Sequence, residues 1–217
     1  MAELVWDQTG QREFESGVRK VVLYPMGTND YENGVAWNGV TGISENPGGA
    51  DVTDLYADDI KYASLRAAET FGCTIEAYTY PDEWNECDGS EEAATGVFIG
   101  QQPRKAFGLV YQTAIGDDAH PGMDKGYKLH IVYNSTASPS GRSYSTINDN
   151  PDAIVFSWDA TSTPVACAGH KPVSTIVIDS TKADPTKLGT LKAMLYGDQT
   201  NDARLPSPDT VLGTMGP

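Results

Sequence analysis

Several kinds of residue are scarce in this chain, and each scarcity excludes something. Histidine occurs three times in 217 residues, at positions 120, 130 and 170, which leaves little for acid–base relays. The three cysteines, Cys73, Cys87 and Cys167, are odd in number and form no Cys-x-x-Cys pair. A disulfide framework is therefore not expected; small buried thiols in a reducing compartment are. Cys167-Ala-Gly-His170 offers two metal ligands, but His120 and His130 supply no matching pair, and structural zinc wants four. Basic side chains number 15 against 30 acidic ones, for a net charge of −15. That shortage excludes binding built on phosphate contacts and docking on an anionic lipid surface. No apolar run reaches transmembrane length, and residues 1–7 show no basic cap followed by an apolar stretch, so neither a membrane anchor nor a secretory leader is expected. GK[ST], GxSxG and HExxH are all missing. The chain is read as a non-enzyme without cofactor or metal.

Enough apolar content remains for a packed core, at 39% hydrophobic and 9% aromatic residues. Asp outnumbers Glu 19 to 11, which favours turns and strands over helices. Alternating or β-rich runs predict strands over 18–24, 73–80, 106–113, 127–133, 153–158 and 173–179. In the fourth of these Tyr127, Leu129, Ile131 and Tyr133 share one face. Asn33-Gly34 and Asn38-Gly39 are tight-turn signals flanking a short strand-like Val35-Ala36-Trp37, and strand character resumes over 40–43. Residues 27–57 as a whole read as one long polar loop, and 58–70 fits neither period. Pro81-Asp-Glu-Trp84 offers a short helical turn. One clear helix spans 184–196: Asp184 caps it, Pro185 takes the first position, and Leu188, Leu191, Met194 and Leu195 form a stripe before Gly197. The Pro- and Gly-rich tail from about 198 is expected to be flexible. The organisation predicted is one domain over 1–217, mainly β, with one flanking α-helix.

Candidate sites are few. Asp51, Asp54, Asp58 and Asp59 could gather a cation, but their spacing lacks the glycine and terminal glutamate of a calcium loop. Trp6, Trp37, Trp84 and Trp158, with 11 Tyr, could form a sugar-stacking platform, although their scatter favours core packing. The charge distribution is sharper. Residues 21–103 hold fifteen acids against only Lys61 and Arg66, a net −13, so nearly the whole imbalance lies in one continuous segment. Such a segment either solubilises a surface or repels an anion.

A resemblance rests on a series of stretches in order. They are Trp37-Asn-Gly-Val-Thr-Gly-Ile-Ser-Glu-Asn-Pro-Gly-Gly-Ala50 and residues 51–62, then Phe71-Gly-Cys-Thr-Ile-Glu-Ala-Tyr-Thr-Tyr-Pro-Asp-Glu-Trp84 and Gly100-Gln-Gln-Pro-Arg-Lys-Ala-Phe-Gly-Leu-Val-Tyr-Gln-Thr113. Tyr144-Ser-Thr-Ile-Asn-Asp-Asn-Pro151, Phe156-Ser-Trp158 and Lys171-Pro-Val-Ser-Thr-Ile-Val-Ile-Asp179 follow, with the helix to Tyr196. Over roughly residues 12–197 the chain resembles the major tail proteins, or tail tube proteins, of siphophages that infect Gram-positive bacteria. The resemblance implies two packed β-sheets in a sandwich or barrel-like fold with a helix on the flank. It implies six subunits per ring and rings stacked into a hollow virion tube, assembled in the bacterial cytoplasm, through which duplex DNA passes without specific binding. Tape-measure, distal tail and tail terminator proteins would be its partners. The stacking loop would then carry Asn33, Trp37, Glu45, Asn46, Asp51 and Asp54, and the acids Glu69 and Glu76 would face the lumen. An acidic β-sandwich carbohydrate-binding module on a virion surface is the second function class, and a carboxylate-pair hydrolase a distant third.

Overall fold

The structure, a computed structural model, describes residues 4–119, 122, 124–147 and 152–216. Its frame is three long antiparallel strands, β1 (Phe14–Pro25), β10 (Phe107–Gly116) and β11 (Gly126–Ala137). Between β1 and β10 the chain forms β2 (Val35–Ala36), β3 (Val40–Glu45), β4 (Gly48–Gly49), β5 (Val52–Ala57), β6 (Ile60–Arg66) and β7 (Glu69–Ala77). Helix α1 (Trp84–Asp88), β8 (Glu91–Ala94) and β9 (Val97–Ile99) come next. After β11 come β12 (Phe156–Ser162), β13 (Thr175–Asp179), α2 (Pro185–Tyr196) and α3 (Pro208–Met215).

The main sheet runs β2-β1-β10-β11-β12-β7-β3, with β13 also on β11 and β4 also on β7. Strand β11 splits this path into two layers. Its Lys128–Val132 part pairs with β13, and its Ser135–Ala137 part pairs with β12. Asn134 lies between the two parts with φ at 46°, a left-handed position that re-aims the strand and that Asn tolerates. Lys20 does the same on β1 at φ 53°, inside a bulge between Arg19 and Val22.

Alternation along β1, β10 and β11 sends their side chains to two separate cores. Val21, Leu23, Phe107, Leu109, Tyr111 and Val132 meet Cys73, Ile75, Ala77, Trp158 and Ala160 from β7 and β12, with Trp84 and Cys87 of α1 closing one end. Val22, Tyr24, Val110, Leu129, Ile131 and Tyr133 face the helices, against Leu188, Leu191, Leu195, Leu205 and Val211. The fold is mainly β, with a large antiparallel sheet folded into packed layers, two small ribbons and a few helices. The middle layer is buried on both sides, which is why β10 reads as a near-continuous apolar run.

Helix α2 starts where the cap signals place it. The Asp184 carboxylate accepts from the N–H groups of Thr186 (2.8 Å) and Lys187 (3.0 Å), Pro185 follows, and Gly197 ends the helix at φ 74°. Leu188, Leu191 and Leu195 are buried under it. Met194 is a correction to the predicted stripe: it is only half-buried and lines an open groove with Asn33, Asp198 and Asp202. Leu191 has no exposed surface. Leu191→Ala is expected to cost about 2–5 kcal/mol, the range for a buried leucine whose site cannot fully collapse. A denaturant midpoint unchanged from the parent chain would contradict that packing.

The tail beyond 198 is a second correction, because it is built into the fold. Ser207 caps α3, its Oγ accepting from the Thr210 N–H at 3.3 Å, and Pro208 opens the helix. Upstream, Arg204 N–H donates to the Met194 carbonyl (2.8 Å), and Gly34 N–H donates to the Ala203 carbonyl (2.8 Å). Leu205 lies directly over Gly108 of β10; a Cβ there would collide with its Cδ2 and force the crossing to shift. Tyr133 donates its hydroxyl to the Pro206 carbonyl at 3.1 Å, and Tyr24 donates to the Leu195 carbonyl. Proline and glycine here mark helix ends and a close approach. The Ser207-Pro208-Asp209 start signal and the spacing of Val211, Leu212 and Met215 were the available clue.

Candidate functional site

Residues 27–57 do not form one loop. They carry β2, β3 and β4 and the first strand of a projecting ribbon, because Val40, Ile43 and Trp37 have apolar partners to cover. Trp37 is the clearest reassignment. It is buried against Trp84 and Trp158, with ring centroids 4.6 and 5.6 Å away, and its Nε1–H donates to the Thr79 carbonyl at 2.8 Å. With Trp37, Trp84 and Trp158 all in the core, Trp6 is the one exposed tryptophan.

The remaining predicted loop residues scatter. Asn33 Nδ2 donates to Asp202 (3.2 Å), fastening the chain to the C-terminal crossing. Asn46 Nδ2 donates to Thr74 Oγ1 (3.0 Å), on the outside of β7. Asp51 is exposed at the root of the β5–β6 ribbon, and its carbonyl accepts from Ala67 N–H at 2.8 Å. Asp54 pairs with Lys61 (2.8 Å) and accepts from Ser64 Oγ (2.6 Å), and these contacts hold its carboxyl below the ordinary value. Asp58 and Asp59, at φ 51° and 61°, make the two-residue turn at the ribbon tip. The four acids thus have separate structural roles. Among the described residues no three His, Cys, Asp or Glu side chains gather to hold a metal ion.

Glu45 belongs to the core edge. It ends β3 with its carboxylate turned inward, accepting from the Tyr111 hydroxyl, while His130 Nδ1 stands 3.2 Å from the same oxygen. That nitrogen is buried, and the contact is close without meeting the full geometry of a hydrogen bond. The His130 ring stacks on Tyr111 at 4.6 Å and 6°, and its Nε2 meets Thr113 Oγ1 at 3.1 Å. Thr113 in turn donates to Glu15 (3.2 Å), which pairs with Lys128. His130 and Tyr111 hold the Glu45 carboxyl below its ordinary 4.5, against the opposing effect of burial. The sign follows: this contribution is fully present above pH 4.5 and is lost as pH falls through the lower folded value. Glu45→Gln is therefore expected to narrow the stability difference between pH 7 and pH 3, measured by urea unfolding at both pH values. Equal narrowing in Glu83→Gln, an exposed control, would deny Glu45 a specific part. Sequence reasoning missed His130 because its partners lie on other strands.

The outward face of β3, β7 and β12 has a consistent chemistry. Cross-strand pairing sets Gly42 beside Glu76 beside Ser157, Ser44 beside Thr74 beside Asp159, and Gly72 beside Thr161. Their neighbours Ile75, Cys73, Ala77, Trp158 and Ala160 point into the core, so this face is small, polar and acidic by alternation. Thr74 Oγ1 donates to Asp159 Oδ1 at 2.6 Å, tying the rows together. These three strands contain no Lys or Arg. Glu76 is exposed on the middle strand, between Gly42 and Ser157 and one residue from the end of β7; Glu69 stands at the other end, opposite Gly49. Asp159 was missed because the 153–158 strand prediction stopped one residue short of it, yet Trp158 and Ala160 alternate around it. A face of hydroxyls and carboxylates with no cation repels polyanions.

The thiols are structural. Burial pushes both Cys73 and Cys87 up to about 12, which leaves no nucleophilic thiolate at neutral pH. Compared with known proteins, the chain matches no family model and no curated sequence.

Proposed function

We propose that this chain is a structural virion protein that assembles six to a ring and head to tail into a phage tail tube, the conduit for DNA into the host. The observation that carries the proposal is the cation-free acidic face of β3, β7 and β12, with an exposed apolar ribbon at either end of the sheet that bears it. A wall that bound duplex DNA would stall its passage; a wall of like charge leaves it mobile. Head-to-tail contacts need two different surfaces on one subunit, and the ribbons β5–β6 and β8–β9 are such a pair. The resemblance over residues 12–197 supports the same reading. Tape-measure, distal tail and tail terminator proteins are the partners it implies, and the virion tail its location. The carbohydrate-binding alternative gains no support, since three of the four tryptophans are buried where no sugar can stack on them.

Negative-stain electron microscopy of the purified protein tests the proposal. Rings or tubes with an axial hole are expected as concentration rises. Monodisperse single copies at all concentrations, with or without a tape-measure partner, would overturn it.

A further inference from the structure

Asn followed by glycine makes a tight turn, and it also carries a reaction. The backbone nitrogen of the next residue can attack the side-chain amide carbon, and glycine, with no Cβ, shields its nitrogen least. Three places in the chain put glycine after Asn or Asp: Asn33-Gly34, Asn38-Gly39 and Asp88-Gly89. The fold silences two of them. Gly34 N–H donates to the Ala203 carbonyl at 2.8 Å, and Asn33 Nδ2 donates to Asp202 at 3.2 Å. Gly34 is also wedged so tightly that a Cβ on it would stand 2.6 Å from the Tyr24 ring. Gly89 is buried, its N–H donates to the Asn85 carbonyl, and the Asp88 carboxylate is paired with Arg142. Asn38-Gly39 is different. Both residues are exposed in the turn that leads into β3, where Gly39 has φ 78°. Neither the Gly39 N–H nor the Asn38 side-chain amide has a hydrogen-bond partner among the described residues.

We propose that Asn38 is a self-modification site, at which the folded chain converts an amide into a carboxylate without an enzyme. The Gly39 nitrogen, having lost its proton to solvent, bonds to Cγ of Asn38. The Cγ–Nδ2 bond breaks and ammonia leaves, which closes a five-membered succinimide. Water then opens that ring at one of its two carbonyls, so the balance is amide plus water to acid plus ammonia. Opening at Cγ leaves aspartate on an unchanged backbone. Opening at the main-chain carbonyl leaves isoaspartate, whose backbone runs through Cβ and is one atom longer. Either product adds one negative charge to the copy. The turn places that charge beside a surface already described: Val40 pairs with Ala77 and Gly42 with Glu76, so the new acid joins the Glu76 end of the cation-free face. The longer backbone is harder to accommodate, because the turn is held on both sides. Trp37 N–H donates to the Val21 carbonyl (2.9 Å) and its Nε1–H to the Thr79 carbonyl (2.8 Å), while Tyr78 N–H donates to the Gly39 carbonyl (2.8 Å). The inference uses the fold of one copy and stands whether or not copies form tubes.

Peptide mapping after incubation in heavy-oxygen water tests the site. The full chain is held folded, as dilute single copies, in weakly alkaline buffer, then digested in ordinary water and sequenced by mass spectrometry. The heavy oxygen marks acids formed during the incubation and leaves those formed in digestion unmarked. Label at residue 38, as aspartate and isoaspartate together, is expected at least fivefold above label at residue 33. The chain held unfolded in urea is the matched control, since both pairs are followed by valine, at Val35 and Val40. There the two positions should convert at similar rates. Equal labelling of the two in the folded chain, or faster labelling at 33, overturns the proposal. A preference for 38 that persists undiminished in urea also overturns it, because such a preference would owe nothing to the fold. Asn38→Gln, whose longer side chain closes a larger ring, should remove the label from that peptide, and label that remains there would assign the reaction to another residue.

Discussion

Excising residues 52–66 and joining the ends through a short Gly-Ser turn is expected to abolish assembly outright while leaving each copy folded. The excised ribbon pairs with no other strand, and its large side chains are exposed, so the cores lose nothing. Unfolding free energy should stay within about 1 kcal/mol of the parent chain, as for surface changes away from packed features. The cut must begin beyond Asp51. Removing 45–51 instead would break the Glu45 contact with Tyr111 and His130 and the pairing of Gly48 and Gly49 with β7. Sedimentation should show single copies at concentrations where the parent chain forms large particles. Normal tubes from the excised variant would remove the ribbon from the assembly contacts. A collapsed melting temperature would mean that the ribbon supports the single copy, contrary to its exposure.

Reversing the charge of the acidic face is the second large expected effect. Each acid-to-Lys exchange shifts a copy by two charges, and the six-membered ring proposed above would repeat it, for about twelve per ring. Glu76→Lys combined with Asp159→Lys should leave tubes intact, since both side chains are exposed and neither is in a core. DNA ejection from virions carrying the variant should slow by on the order of tenfold at low salt, within the range of electrostatic effects on rates. Raising the ionic strength should restore most of the rate, because the Debye length falls from about 30 Å at 0.01 M to about 10 Å at 0.1 M. Asp118→Lys is the matching control; this acid lies beyond the end of β10, accepting from Gly10 N–H at 2.8 Å. Equal slowing by the control, or no slowing by the pair, would place the acidic face away from the DNA path.

What the sequence by itself determined was local. Helix α2 was legible with its cap, its first proline and its terminating glycine, because those signals act within one turn of chain. The alternation of Tyr127, Leu129, Ile131 and Tyr133 marked a real face, since period two follows from strand geometry alone. The concentration of acid in 21–103 was likewise readable before any fold. Tertiary structure decided the rest, for a common reason: the partner was far away in sequence. Trp37 looked like loop because its partners, Trp84 and Trp158, lie 47 and 121 positions on. The tail beyond 198 looked free because its anchors are Gly34, Gly108 and Tyr133. The ambiguous 58–70 stretch holds the tip and second strand of a ribbon apolar on both faces, which obeys no single-face period. His130 was weighed in the sequence only as a metal ligand, and the fold instead set it between Glu45 and Thr113. Which acids share a face was also a matter of register. Glu76 and Asp159 lie 83 residues apart, and only the pairing of β7 with β12 brings them onto one surface, since a slip of one residue would turn either acid into the core.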